Sequence, residues 1–272
     1  MTEELEVLDI VVRRLEHAGI PYMMTGSFAA NYYAVPRMTR DIDLVVDLSA
    51  GDVDRFCALF EGDFYLDRDA VRDAVAERSA FNLIHQAHVV KVDWIVRKDS
   101  EYRRTEFARQ RRASIEGHGL AIVAPEDLII SKLDWMRETR SEVQLSDVRN
   151  LLGSVPDLDR QYLRTGPSVS GSAPCTGRRS MTDTPPEVMD RYRAMLLARS
   201  PEDRLRMGCS MGATARALVR ASVLAQDPHA SPAAMRRALF LRFYGGEFEA
   251  AEREKIQAWL GSDGRSSRRV PT

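Results

Sequence analysis

A chain of 272 residues, 44% hydrophobic and 29% charged, has enough apolar side chains for a packed core, which excludes wholesale disorder, collagen and a disulfide-stapled miniprotein. Its net charge of −1 hides an asymmetry: residues 1–165 carry 29 acidic against 22 basic side chains, and the remainder 11 against 17. That opposition suits either a basic half that contacts nucleic acid or two halves that attract each other. No run approaches the roughly 18–20 apolar residues of a membrane-spanning helix, and the acidic start lacks the features of a signal peptide, so a cytoplasmic protein without a membrane partner is expected.

In chain order, Leu5, Leu8, Val11, Val12 and Leu15 recur at the spacing of one helix face, and Gly19 and Pro21 end that helix. Residues 21–26 read as a strand running into a turn, and 42–47 as a second strand. A helix is expected over 52–60 and a short one around 69–77. Strands are expected at 80–86 and 88–96. After an arginine-rich segment, 120–124 reads as a strand, Pro125 opens a helix through Met136, and another helix covers about 141–152.

Residues 165–181 are rich in Gly, Ser and Pro, the composition of a flexible linker. Beyond them the pattern is helical, with Val188, Tyr192, Met195 and Leu196 on one face, helix starts at Ser200-Pro201 and Ser231-Pro232, a stop at Gly245-Gly246, and a short last helix over 256–260. The division expected is therefore a first domain over 1–164, a linker over 165–181, a helical domain over 182–262 and a disordered tail over 263–272. Met181 opens a stretch that reads like a chain beginning, which suggests two originally separate proteins joined. Burial of residues 165–180 in one shared core would count against that origin.

The chemistry-bearing pattern is Gly26-Ser27, then Arg37 and Arg40, then Asp41 and Asp43 leading into an apolar strand. Residues two apart on a strand point the same way, so Asp41 and Asp43 present paired carboxylates while Ile42 and Leu44 face the core. Paired carboxylates are unfavourable alone and become favourable around a hard divalent cation, Mg²⁺ or Mn²⁺, especially where a nucleotide's phosphates complete the coordination. Asp93 is a third acid on an apolar strand. Three carboxylates on neighbouring strands can hold two metals roughly 3.5–4 Å apart. Asp93 is then a ligand or general base, or more plainly the salt-bridge partner of Lys91 or Arg97.

Gly26 lets the backbone approach a phosphate, and Ser27 at a helix start offers a hydroxyl and an amide. Lys132 falls on the apolar face of its helix with Leu128, Ile129, Leu133 and Met136, and it is one of four lysines beside 35 arginines, which suits a point-charge contact to phosphate or a snorkelling stem. Arg37 and Arg40 either reach a triphosphate or tie down their loop. The run Arg103, Arg104, Arg109, Arg111 and Arg112 either grips RNA phosphates or forms a solvated helix face. His85 and His88 lack the further ligands of a metal site. Cys57, Cys175 and Cys209 are read as free thiols.

Taken together, the Gly-Ser turn, the paired aspartates and the later third aspartate resemble the signature of the nucleotidyltransferase superfamily. The segments PEDLIISKLDW and SDVRNLL resemble the lysine and aspartate helices of its AbiEii-like, toxin-type branch. This resemblance covers about residues 4–163; the second half is similar to small helical bacterial proteins of unknown role. It implies an α/β fold with a mixed sheet, joined to a small all-α part. Its implied activity is Mg²⁺-dependent transfer of a nucleotide from an NTP to a hydroxyl, with a tRNA end as acceptor among toxins and an aminoglycoside among resistance enzymes. On this resemblance Asp41 and Asp43 are metal ligands, Asp93 is a metal ligand or base, Gly26 and Ser27 bind the triphosphate, Lys132 contacts phosphate and Asp147 matches the aspartate helix; Arg40 joins the nucleotide site by its place beside the strand. A catalytically silent binding module of a toxin and antitoxin pair is the alternative of another class.

Overall fold

The structure is a computed structural model that describes residues 1–165 and 184–261. The expected linker lies almost wholly outside these residues, as does the expected tail; Thr165 ends a helix. The first half is organised on a seven-stranded mixed sheet, ordered β3-β4-β5-β2-β1-β7-β6. The strands are β1 (Tyr22–Met24), β2 (Ile42–Val46), β3 (Phe64–Tyr65), β4 (Ala80–His85), β5 (Val90–Val96), β6 (Arg111–Ile115) and β7 (His118–Ile122). At its centre β2 runs parallel to β5 and antiparallel to β1, and β1 runs parallel to β7. The α/β fold with a mixed sheet and a helical second part is as the sequence implies.

Helices α1 (Glu3–His17), α2 (Gly26–Tyr33), α3 (Val53–Phe60) and α4 (Arg68–Glu77) follow the expected positions closely. Leu5, Leu8, Val11, Val12 and Leu15 are all buried, so the apolar stripe of α1 lies on the core. Helix α4 starts where the Asp67 carboxylate accepts from the amides of Asp69 and Ala70. Trp94 and Phe81 project from the sheet into a cluster with Phe56 and Phe60 of α3. On β5 that face alternates with the one carrying Lys91 and Asp93.

The arginine-rich segment spans two elements, and only its first part, Arg103 and Arg104, lies on a helix. It forms α5 (Glu101–Ala108) and then the edge strand β6, where only Ala113 and Ile115 are buried. Its guanidiniums are engaged by carboxylates: Arg103 with Glu106, Arg104 with Asp99, Arg109 with Asp127, Arg111 with Glu126 and Arg112 with Glu16. Charges on an edge strand also block sheet-to-sheet association. Helices α6 (Pro125–Thr139), α7 (Glu142–Ser154) and α8 (Arg160–Thr165) complete the first half; α8 and the two-residue strand β3 are additions to the sequence reading.

The second half comprises α9 (Pro186–Leu197), α10 (Pro201–Gln226), α11 (Pro232–Tyr244) and α12 (Ala250–Gly261). Serine caps and following prolines start α10 and α11 as expected: Ser200 accepts from the Asp203 amide and Ser231 from the Ala234 amide. At 26 residues α10 is the longest element, about 39 Å. It packs against α1, α2, β6 and α11, and its Leu218 and Ala221 belong to the same apolar core as the sheet. Glu4 of α1 is fully buried and accepts from Ser210 and Thr214 of α10 and from Arg40. A smaller apolar cluster joins Ile84 and Val89 to Val188 and Met207.

Candidate active site

The central feature is a row of polar side chains across three strands. Parallel pairing of β2 with β5 sets Asp43 opposite Asp93, and antiparallel pairing of β5 with β4 sets Asn82 opposite Asp93. Side chains directly opposite on adjacent strands share a face. Asp41, two residues before Asp43, joins that face, while Ile42 and Leu44 are fully buried on the other. The sequence expectation that the three aspartates converge is met by the register itself.

Helix α2 begins against this row. The Thr25 amide donates to the Asp43 carbonyl at 2.9 Å and the Ser27 amide to Asp43 Oδ2 at 3.3 Å. Gly26 has φ of +62°, and a Cβ there would lie 1.9 Å from Asp43 Oδ2. Glycine is therefore required on two counts, the left-handed backbone and the carboxylate pressed against it. The first amides of an eight-residue helix thus open beside the aspartates, an arrangement that attracts anionic phosphate.

A second polar chain runs from this turn to α6 and α7. Arg37 donates to the Ser27 hydroxyl and, through Nε, to Asp147 Oδ1 at 3.3 Å. Lys132 donates to Asp147 Oδ2 at 2.8 Å and to Gln144 Oε1 at 3.0 Å. The structure therefore brings Gly26, Ser27, Lys132 and Asp147 to the carboxylates. Arg40 is placed differently: it is buried, pairs with Glu3 and Glu4 and donates to the carbonyls of His88 and Val89, so its donors are turned to α1 and the β4–β5 turn. Of the two readings of Arg40, this arrangement is the one that ties down the loop.

Asp93 is the salt-bridge partner of Lys91 rather than of Arg97, which pairs with Asp47. Lys91 Nζ donates to Asp93 Oδ1 at 2.8 Å and Oδ2 at 2.6 Å, and lies 3.6 Å from Asp41 Oδ2. Burial alone pulls the Lys91 pKa down, but Asp93 and Asp41 outweigh it and hold the group above the ordinary lysine value. Burial, followed by the charges of Asp93 and Asp41, pushes Asp43 up to about 7, and burial likewise raises Asp41.

Two residues of the second half reach this cluster. Thr184 accepts from Lys91 Nζ at 3.2 Å. Tyr192 of α9 is pushed up to about 12 by burial and by the Asp41 charge. Sequence reasoning took Tyr192 as a helix-core residue and gave Thr184 no role, because nothing local to either marks a partner some 90 or more positions away.

Whether these residues fit a divalent cation is tested by their donors. Asp41 and Asp43 do: Asp41 keeps 45% side-chain exposure, and the repulsion felt by Asp43 is the strain that a cation relieves. The buried Asn82 Oδ1 has no hydrogen-bond partner among the described residues and offers a further oxygen beside Asp93. Asp93 itself is filled by Lys91 and Asn82. Accordingly, among the described residues no set of three His, Cys, Asp or Glu side chains stands ready to hold a metal. Nor is any described helix long and apolar enough to cross a membrane.

No family model matches the sequence, and no curated protein matches it. Among solved structures the chain is similar to the lincosamide antibiotic adenylyltransferase LnuA bound to lincomycin, with 14% identity over 57% of this chain and 98% of that one and a TM-score of 0.38. It is also similar to the antibiotic-resistance factor ANT(2'')-Ia, with 16% identity over 56% and 83% of the two chains and a TM-score of 0.37. A third likeness is to an antigenic nucleotidyltransferase-like protein from Paracoccidioides brasiliensis, with 13% identity over 83% and 97% and a TM-score of 0.45.

Proposed function

We propose that the chain is a nucleotidyltransferase that moves a nucleotide from an NTP to an acceptor hydroxyl, releasing pyrophosphate. The observation that carries this reading is the register of Asp43 against Asp93 on parallel strands, with the first turn of α2 resting on Asp43 through Gly26. A divalent cation held by Asp41 and Asp43 would neutralise charge on the phosphates and polarise the attacking hydroxyl. The Ser27 amide and hydroxyl and the Lys132 ammonium suit binding of the triphosphate, positioned by Arg37 and Asp147. Lys91 offsets the charge of Asp93 and part of that of Asp41, while Asp43 stays raised by burial and by its acidic neighbours, which suits a further cation beside the helix N-terminus.

For the acceptor, the resemblance offers a tRNA end or a small antibiotic-like molecule. In the arginine run that favours RNA, Arg103 and Arg109 are held by carboxylates, while Arg104, Arg111 and Arg112 keep half or more of their exposure in weak surface pairs that a phosphate can replace. The tRNA reading draws on the toxin-type resemblance together with this run and the basic second half, and an antitoxin partner on the resemblance alone. Incubation with labelled NTPs and either total RNA or an aminoglycoside panel distinguishes the acceptors by which one becomes labelled.

The reaction class is tested by substituting Asp41→Asn and Asp43→Asn. Each is expected to lower transfer by at least about a thousandfold, the scale of losing transition-state charge stabilisation, with the melting temperature unchanged or raised because a repelled carboxylate is removed. Turnover retained in both variants sinks the assignment. So does failure of the wild type to bind Mg-NTP in calorimetry, the result expected of a catalytically silent module.

A further inference from the structure

A cation is already seated among the aspartates. Lys91 and Asp93 lie two apart on β5 and so share the face that carries Asp43. The Lys91 side chain is only 6% exposed, and its ammonium takes both Asp93 oxygens, approaches Asp41 to 3.6 Å and rests on the Thr184 hydroxyl at 3.2 Å. The Asn82 amide adds a 2.6 Å bond to Asp93 Oδ1. Asp93 thus accepts three hydrogen bonds on its two oxygens, from two donor groups of the protein.

We infer that the Lys91 ammonium takes the place of one of the two divalent cations that three such carboxylates can hold, so that the site binds a single divalent cation on Asp41 and Asp43. The inference rests on the proposed function and specifies its metal requirement. Lysine suits the role better than arginine: an ammonium is a compact point charge, whereas a guanidinium spreads its charge over a planar fork. Only four lysines stand against 35 arginines in this chain, and one of them is here. A dication placed beside Asp93 would have to displace the ammonium or meet its repulsion at close range. The Asp41 carboxylate, by contrast, meets Lys91 through one oxygen at 3.6 Å and keeps 45% side-chain exposure, so it remains available to pair with Asp43 around a cation. Thr184 holds the ammonium in place from the second half, which makes that half part of the charge balance at the site.

The test uses frozen-solution electron paramagnetic resonance of the full chain with Mn²⁺ and a non-hydrolysable ATP analogue. This readout does not depend on turnover, and two Mn²⁺ ions a few ångströms apart give a coupled spectrum distinct from that of an isolated ion. The wild type is expected to show a single isolated protein-bound Mn²⁺, and Lys91→Met and Lys91→Gln a coupled pair. A coupled pair in the wild type overturns the inference and leaves the proposed function standing. Isolated ions in both folded variants also overturn it. Absence of bound Mn²⁺ in the wild type overturns this inference and the proposed function together. Should both variants fail to fold, the wild-type spectrum decides: an isolated ion supports the inference, and any other result overturns it.

Discussion

Gly26 and Asp43 compete for one volume. The glycine wins it for the carboxylate by having no side chain, and its φ of +62° adds a second reason. Gly26→Ala is therefore expected to destabilise the fold by about 1–3 kcal/mol through the left-handed backbone alone. Its larger effect is local: the Asp43 carboxylate must move off the first turn of α2, and affinity for Mn-nucleotide should fall by at least about tenfold, or about 1.4 kcal/mol. Denaturant unfolding and calorimetry read the two effects separately. A variant that unfolds like the wild type and binds nucleotide equally well would show that the turn tolerates a side chain, against the geometry described. At this scale the sequence is unusually legible, because each signal is short: a glycine before a serine, two acids at strand spacing, a third acid in an apolar run, a lysine on an apolar helix face. Lys91 is visible too, as a possible partner of Asp93. What cannot be seen in one dimension is that its ammonium also reaches Asp41 and Thr184.

Among the elements, the pairing of β2 with β5 determines the site, and both strands are readable from their apolar runs. Their adjacency is suggested only by the acids they carry; the parallel direction and the register are not, since parallel neighbours are joined by crossovers whose route leaves no mark on either strand. β6 escapes for another reason: with Arg111, Arg112 and Ser114 turned to solvent, only two of its five residues are buried, too few to signal a strand. The contact between α1 and α10 centres on one carboxylate, beside a hydroxyl pair of Thr2 and Thr214. Glu4 is fully buried, accepts from Arg40 at 2.7 Å and also receives the hydroxyls of Ser210 and Thr214. Removing one member of a buried charged network leaves the others unsatisfied. Glu4→Ala should accordingly lower stability by about 3–5 kcal/mol, and Glu4→Gln by less, since the amide oxygen still accepts the hydroxyls. A loss under about 1 kcal/mol for the alanine variant, measured by chemical denaturation, would mean that Glu3 alone suffices for Arg40.

For the molecule as a whole, the question is what the helical half does for the site. Its composition speaks only of helix cores and basic charge, and the net opposition of the halves suits either a nucleic-acid contact or simple attraction. The contacts are more specific. Arg242 of α11 is half-buried against carbonyls: it donates to Ala34 O at 2.6 and 2.9 Å and to Tyr32 O at 3.0 Å, at the C-terminal end of α2. Burial pulls its pKa down to about 10, still well above neutrality, so the guanidinium stays charged and complements the negative end of that helix. Arg242→Met is expected to speed hydrogen exchange of the α2 amides by about tenfold relative to wild type, with the central strands little changed. Unaltered exchange in α2 would show that the helix holds its position without the arginine.

Helix α2 is only eight residues long and both of its ends are committed, the first turn to Asp43 and the last to a guanidinium some 208 positions downstream. A change in α11 is therefore felt at the glycine-serine bend without touching any residue beside it. Loosening α11 removes one of the two anchors between which that short helix is held.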